Sequence, residues 1–193
     1  MYDRLFRHIS RLVELTDDEF AFLKTLFIPK KLRRKQFLLQ EGDIDKYIAF
    51  VDKGLLRVYT VDEKGVEHIV QFAPEGWWAS DLYSYLTGEP ARYNIEALED
   101  AELLLLDQAS NERMVQVVTK MERYLRLILQ NNYVATHRRL VNSLSQSAEE
   151  KYREFVQRYP DIVQRVPQHM IASYLGITPA FLSRIRGRKP SDA

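Results

Sequence analysis

The chain has 193 residues, no cysteine and a formal net charge of +1, with 46% apolar and 11% aromatic residues. That length buries a substantial core in one or two domains, and the composition argues against general disorder. Zero cysteine removes disulfides, thiolate zinc sites, thiol nucleophiles and cysteine-ligated iron–sulfur clusters, and near-zero charge means that any nucleic-acid surface must be local.

From the N-terminus, residues 2–15 read as an amphipathic stretch that does not lead into a signal-peptide core. No apolar run approaches the roughly 20 residues that span a bilayer, so a cytoplasmic protein with no membrane partner is expected. Thr16-Asp-Asp-Glu19 fits a capping box ahead of Phe20, Phe22, Leu23, Leu26 and Phe27. Five of the seven glycines then follow at intervals of 12, 11, 11 and 12 residues: Gly42, Gly54, Gly65, Gly76 and Gly88. Short apolar or alternating runs lie between them, such as Tyr47-Ile-Ala-Phe-Val51 and Val66-Glu-His-Ile-Val-Gln-Phe72. Turns at that cadence predict a β-sandwich or β-barrel, with the clearest hairpin at Asp62-Glu-Lys-Gly65.

From about Ala109 to Gln146 glycine and proline vanish and the apolar spacing becomes helical. Met121, Leu125, Ile128, Asn132 and Ala135 fall four, three, four and three residues apart, a heptad seam with one polar member. Leu129, Tyr133, Leu140 and Leu144 make a second stripe. Either one stripe meets a partner helix, or both pack within one monomer. Ser147, with Glu150 three residues later, caps another helix that Pro160 stops.

Residues 168–185 carry the most specific pattern. Ile171, Leu175, Ile177, Leu182 and Ile185 form the apolar set that two short crossing helices share, and Ala172 is small where they approach. Gly176 suits the left-handed position after the first helix, Thr178 the N-cap of the second, and Pro179 its first turn. This is the pattern of a DNA-binding helix-turn-helix; the plainer alternative is a helical hairpin that reads nothing. The second helix would enter the major groove. Arg184 is expected to pair with guanine, and Ser183, Arg186, Arg188 and Lys189 to meet phosphates, with Thr178 and Gln168 as further contacts. Four cations and no acid lie between Arg184 and Lys189, which concentrates charge that is missing globally.

The chain as a whole resembles the Crp/Fnr family of bacterial transcription regulators over roughly residues 10–187. The resemblance is carried by Gln40-Glu-Gly-Asp43, Val51-Asp-Lys-Gly-Leu55, Phe72-Ala-Pro-Glu-Gly-Trp-Trp78, Gly88-Glu-Pro90 and the Gln168–Arg186 motif. The wording of Ala73–Trp78 and Tyr93-Asn-Ile-Glu-Ala-Leu-Glu99 is similar to the branch common in Bacteroidetes. It implies an α+β fold: a cyclic-nucleotide-binding-like jelly roll with flanking helices over residues 1–110, a long dimerisation helix over 111–146, and a helix-turn-helix domain over 147–193. It further implies a homodimer through Met121, Leu125, Ile128, Asn132 and Ala135, with double-stranded DNA as partner.

In the family's cyclic-AMP-binding members, a Gly-Glu-Leu followed by Arg-Ser or Arg-Thr cradles the phosphate. The matching positions here are Ser80-Asp81-Leu82 and Ala91-Arg92. Arg92 falls one residue late, and on a strand one position reverses the side chain. Cyclic AMP is therefore expected not to bind with ordinary affinity, and no cofactor is expected. An effector other than cyclic AMP would be walled by Trp77, Trp78, Tyr83, Tyr85 and Tyr93 around Ser80, Asp81, Leu82 and Arg92; ordinary core packing explains the same aromatics. The family's acid early in the recognition helix is replaced by Ala180, so the operator should differ. The seven residues after Arg186 are too few for a two-stranded wing. No nucleophile elbow, Walker loop or His-Glu-x-x-His pattern points to an enzyme. The other reading is a small-molecule-binding or interaction module whose helix-turn-helix no longer reads DNA.

Overall fold

Each of the five cadence glycines adopts positive φ, and the chain between them runs as short strands. The structure, a computed structural model, describes residues 2–187. It opens with α1 (Tyr2–Ser10) and α2 (Asp17–Leu26). Strands β1 (Ile28–Leu32), β2 (Phe37–Leu39), β3 (Tyr47–Lys53), β4 (Leu56–Val61), β5 (Glu67–Ala73) and β6 (Trp78–Ala79) precede the short α3 (Leu82–Thr87). Strands β7 (Asn94–Ala97) and β8 (Ala101–Asp107) complete the β-region. The rest is helical: α4 (Gln108–Val117), α5 (Lys120–Ser145), α6 (Ala148–Arg158), α7 (Pro160–Arg165), α8 (Gln168–Leu175) and α9 (Pro179–Gly187).

The strands pair antiparallel in two four-stranded sheets, ordered β1-β8-β3-β6 and β2-β7-β4-β5. This is a jelly roll, open at its sheet edges. Because strand side chains alternate, each strand serves two cores. Ala49, Val51, Leu56, Val58, Ile95, Ala97, Leu103 and Leu105 fill the space between the sheets. Phe50, Leu104 and Leu106 point the other way, onto Leu5, Ile9, Leu23 and Met114 of the first, second and fourth helices. On the outer side of the second sheet, Tyr59, Ile69 and Phe72 meet Phe155, Ile162, Ile171 and Leu182 of the C-terminal helices. Both faces of β8 are thus covered, and Leu103–Leu106 is an unbroken buried run. Gly54 holds the sandwich at a close approach: at φ +92°, a Cβ there would lie 2.6 Å from the Asp100 carbonyl oxygen.

Both capping boxes form. Thr16 and Glu19 exchange hydrogen bonds at the start of α2, and Ser147 and Glu150 do so at α6. The continuous helix expected over 111–146 is instead two, divided at Val118–Thr119. Val115, Val117, Val118 and Thr119 are β-branched and weaken helix propensity there, while Val118 plugs the core at 2% exposure. The residues of the expected dimer seam divide between the chain's own core and its surface. Met121 is fully buried in the chain's own core, and Leu125 and Ile128 pack partly against it. Asn132 and Ala135 are exposed. The large apolar side chains left open on α5 are the second stripe, Leu129, Tyr133, Leu140 and, at 82% exposure, Leu144, together with Val134 and Val141.

Candidate nucleic-acid interface

The two helices of the C-terminal motif are set by their caps. Gly176 closes α8 in the left-handed conformation, its N–H reaching the Ser173 carbonyl, while the Ile177 N–H bonds the Ala172 carbonyl at 3.0 Å. This is a Schellman turn. Thr178 Oγ1 then accepts the Phe181 N–H at 3.2 Å, and Pro179 opens α9 where its missing N–H costs nothing. Ile171, Ala172 and Leu182 are buried where the helices cross, and Phe181 and Ile185 are half-buried.

That packing leaves Ser183, Arg184 and Arg186 exposed on α9. The Arg184 guanidinium lies over the Phe181 ring, 5.0 Å from its centroid. Thr178 is exposed too, and having accepted a backbone N–H it keeps its hydroxyl proton to donate. Gln168, at the head of α8, is half-buried with its side-chain oxygen lacking a hydrogen-bond partner. Arg188 and Lys189, and the expected absence of a wing, lie outside the described residues.

The motif is docked on the β-sandwich by residues that sequence reasoning missed. Arg165 is bidentate to Glu75, at 2.8 and 3.0 Å, and also bonds both Glu99 oxygens, at 2.9 and 2.7 Å. Glu99 and then Glu75 raise the Arg165 pKa above its ordinary value. Arg139 of α5 donates to the Val70 and Ile69 carbonyls and lies over the Tyr174 ring at 4.3 Å. Ser173 bonds the edge of β5. The hydrogen bonds among these contacts join residues 66 to 106 positions apart, so no local spacing signals them.

The expected effector loop is committed to its own structure. Asp81 caps α3: Oδ1 accepts the Ser84 N–H at 3.1 Å and Oδ2 the Arg92 N–H at 2.8 Å. Its own N–H goes to Asp45 Oδ2 at 2.7 Å. Burial lifts the Asp45 carboxyl to about 6. Ala91 is buried in the sandwich core, while Arg92 is exposed with its guanidinium over the Tyr83 ring at 5.1 Å. Ser80 is half-buried and Leu82 exposed. A carboxylate already holding two backbone N–H groups and an outward arginine do not fit a cyclic phosphate.

Nor do the aromatics form one wall. Trp78 packs edge-on against Phe50 at 5.2 Å in the helical core, and its N–H reaches the Tyr124 hydroxyl at 3.3 Å. Trp77 faces Tyr159 of the C-terminal helices at 5.8 Å, and Tyr93 packs on the sandwich core. Tyr85 is 4% exposed, whereas Tyr83 is open and hydrogen-bonded to Glu89. Adjacent residues at a strand end point to opposite sides, which separates Trp77 from Trp78. Among the described residues no cluster of three or more His, Asp or Glu could hold a metal ion, and no helix is long and apolar enough to cross a membrane.

Residues 29–117 match the cyclic nucleotide-binding domain family. The regulatory protein HlyX of Actinobacillus pleuropneumoniae is 27% identical over 192 residues, covering 90% of this chain and 77% of HlyX. Among solved structures, FixK2 from Bradyrhizobium japonicum superposes with a TM-score of 0.72 at 18% identity, covering 83% of this chain and 82% of that one. A regulator from Eubacterium rectale assigned to the Crp/Fnr family gives 0.68 at 14% identity, covering 89% and 82%. The likeness extends well past the matched domain in each case: the chain carries a cyclic nucleotide-binding domain and is similar over most of its length to transcription regulators of the Crp/Fnr type.

Proposed function

We propose that this regulator is a homodimer that reads a specific duplex sequence through α9 and acts by binding, without catalysis. The observation that carries this reading is the exposed Ser183, Arg184 and Arg186 on a helix held by a Schellman turn and a threonine cap. Arg184 is the base reader, since a guanidinium pairs bidentately with guanine O6 and N7. Thr178, Ser183 and Arg186 hold phosphates and set the register. The open stripe of Leu129, Tyr133, Leu140 and Leu144 on α5 supports a second copy packing alongside. Two recognition helices would then fall on successive turns of a palindromic site. The Asp81 and Arg92 geometry speaks against control by cyclic AMP.

Genome-wide footprinting of the tagged protein, repeated with Arg184→Ala, tests the reading. Discrete palindromic sites that vanish in the variant are expected. Protection that is diffuse, or unchanged in the variant, would overturn it and leave an interaction module in its place.

A further inference from the structure

Helix α1 has two sides with different tasks. Leu5 and Ile9 are fully buried and fasten it to the helical core. Arg4, Arg7 and His8 on the helix, with Arg11 one residue past its end, turn instead toward the tight turn before β6. Between them lies a cavity of about 300 Å³, walled by those four residues and by Glu75 and Trp77. Such a volume is at the lower end for small-molecule sites.

The charges on this wall do not cancel. Among the described residues, none of the three arginines makes a close salt bridge, although Arg4 interacts electrostatically with Asp52 and Arg7 Nε donates to the Asp3 carbonyl at 3.2 Å. Glu75, the acid of the lining, is already bidentate with Arg165 and accepts the Gly54 N–H at 2.9 Å. Burial raises the Glu75 pKa, but the Arg165 hydrogen bonds and charge together with the backbone N–H groups of Glu75 and Gly54 hold the carboxyl below its ordinary value. His8 adds a donor. The Trp78 N–H donates to the Tyr124 hydroxyl, which lies 2.9 Å from His8 Nδ1; when that hydroxyl donates to Nδ1, the neutral ring carries its proton on Nε2. Burial, then Arg11, keeps the His8 pKa low.

We propose that this cavity binds a small polyanion carrying two or more phosphoryl or carboxyl groups, gripped by Arg4, Arg7 and Arg11 beside the Trp77 ring. Guanidinium forks match such oxygens bidentately, and three of them around one space select multiple negative charge. The site is also wired to the DNA-reading helices, a consequence that rests on the function proposed above. Glu75 is both cavity wall and anchor for Arg165. A bound polyanion is repelled by an unpaired Glu75 and tolerates one that Arg165 neutralises. The ligand therefore favours the docked arrangement, and by linkage docking favours the ligand.

The binding step is testable without DNA, so its failure is separable from failure of the DNA reading. Trp77 is one of two tryptophans in the chain and lines the cavity. Its fluorescence is followed while the full chain is titrated with sodium pyrophosphate, and separately with citrate, at constant ionic strength. A saturating change is expected with at least one of them, and which one identifies the anion class. Arg4→Gln/Arg7→Gln should weaken the apparent Kd about tenfold or more. Arg165→Gln should weaken it several-fold by leaving Glu75 unpaired, and Glu75→Gln should tighten it. Arg11→Gln serves if circular dichroism shows the double variant misfolded. No saturation with either anion at millimolar concentration, or equal affinity in wild type and the arginine variants, would overturn the site.

Discussion

The Ser173 hydroxyl completes the outer edge of β5, accepting the Ile69 N–H at 3.0 Å while donating to the Glu67 carbonyl at 2.7 Å. β5 is the last strand of its sheet, so those backbone groups have no neighbouring strand to pair with. A side chain of the first motif helix therefore protects a sheet edge of the β-sandwich. Ser173→Ala strands the N–H of Ile69, a residue only 3% exposed. Unfolding in urea should show a loss of about 1–3 kcal/mol, and exchange of the Ile69 amide should accelerate more than that of core amides.

Arg165 concentrates the rest of the docking in one side chain, with two carboxylates gripped at 2.7–3.0 Å. The guanidinium is 23% exposed, so the pairs are screened less than surface bridges and desolvated less than buried ones. Arg165→Ala should lower stability by about 1–3 kcal/mol and expose the linker around residues 146–147 to limited proteolysis. High salt should reproduce part of that sensitivity in wild type and add little in the variant.

What the sequence made legible were features closed within a few residues. The Thr16–Glu19 and Ser147–Glu150 boxes, the glycine turns and the Gly176–Thr178 junction each satisfy their own backbone groups locally, and each stands where expected. The hidden part depends on distant partners. Nothing near Arg57 announces that it is buried against Glu96 and Glu67 and laid over Tyr59. Nothing near Met121 says that its side of α5 turns inward while Leu144 stays open, because a heptad pattern fits a partner helix and a sheet surface equally well. At the candidate site the exposed residues of α9 could be counted off the motif, whereas the Arg165 and Ser173 contacts that hold it required the fold.

Gly54 and Gly176 share the left-handed region and should respond differently to alanine. At Gly176 a Cβ would meet open space, and the cost is the backbone conformation alone, about 1–2 kcal/mol. At Gly54 it would also collide with the Asp100 carbonyl and the Ala101 Cα, at 2.6 and 2.9 Å, both backbone atoms that cannot swing aside. Gly54→Ala should therefore lower Tm distinctly more than Gly176→Ala when both are melted under the same conditions.

Asp45 gives the stability a pH signature opposite to that of the paired acids. Burial raises its carboxyl from 3.8 to about 6 in the folded chain. The folded state thus holds the proton more tightly, and the ionised group opposes folding above about pH 6. As pH falls through 6 toward 3.8 that opposition is relieved. Asp45→Asn cannot titrate, and its amide loses one of the acceptor roles toward Tyr47 and Asp81. Urea unfolding at pH 7, 6, 5 and 4 should show the stability of wild type, relative to the variant, rising by about 2–3 kcal/mol on acidification. A difference that stays flat or falls would reject the buried protonation.

The two ends of α5 separate assembly from folding. Leu140 and Leu144 are 57% and 82% exposed, whereas Met121 is at 0%. Leu140→Glu/Leu144→Glu places two charges on the stripe proposed to meet a second copy, where a pair of unpartnered carboxylates resists burial. Sedimentation velocity should show a dimer in wild type and a monomer in this variant, with the urea midpoint of the monomeric fold little changed. Met121→Ala should do the reverse, costing about 2–5 kcal/mol of stability by opening a cavity while the folded fraction still sediments as a dimer. A dimer that survives the paired glutamates but is lost in Met121→Ala would put the interface on the buried seam, against the packing of Met121 inside its own chain.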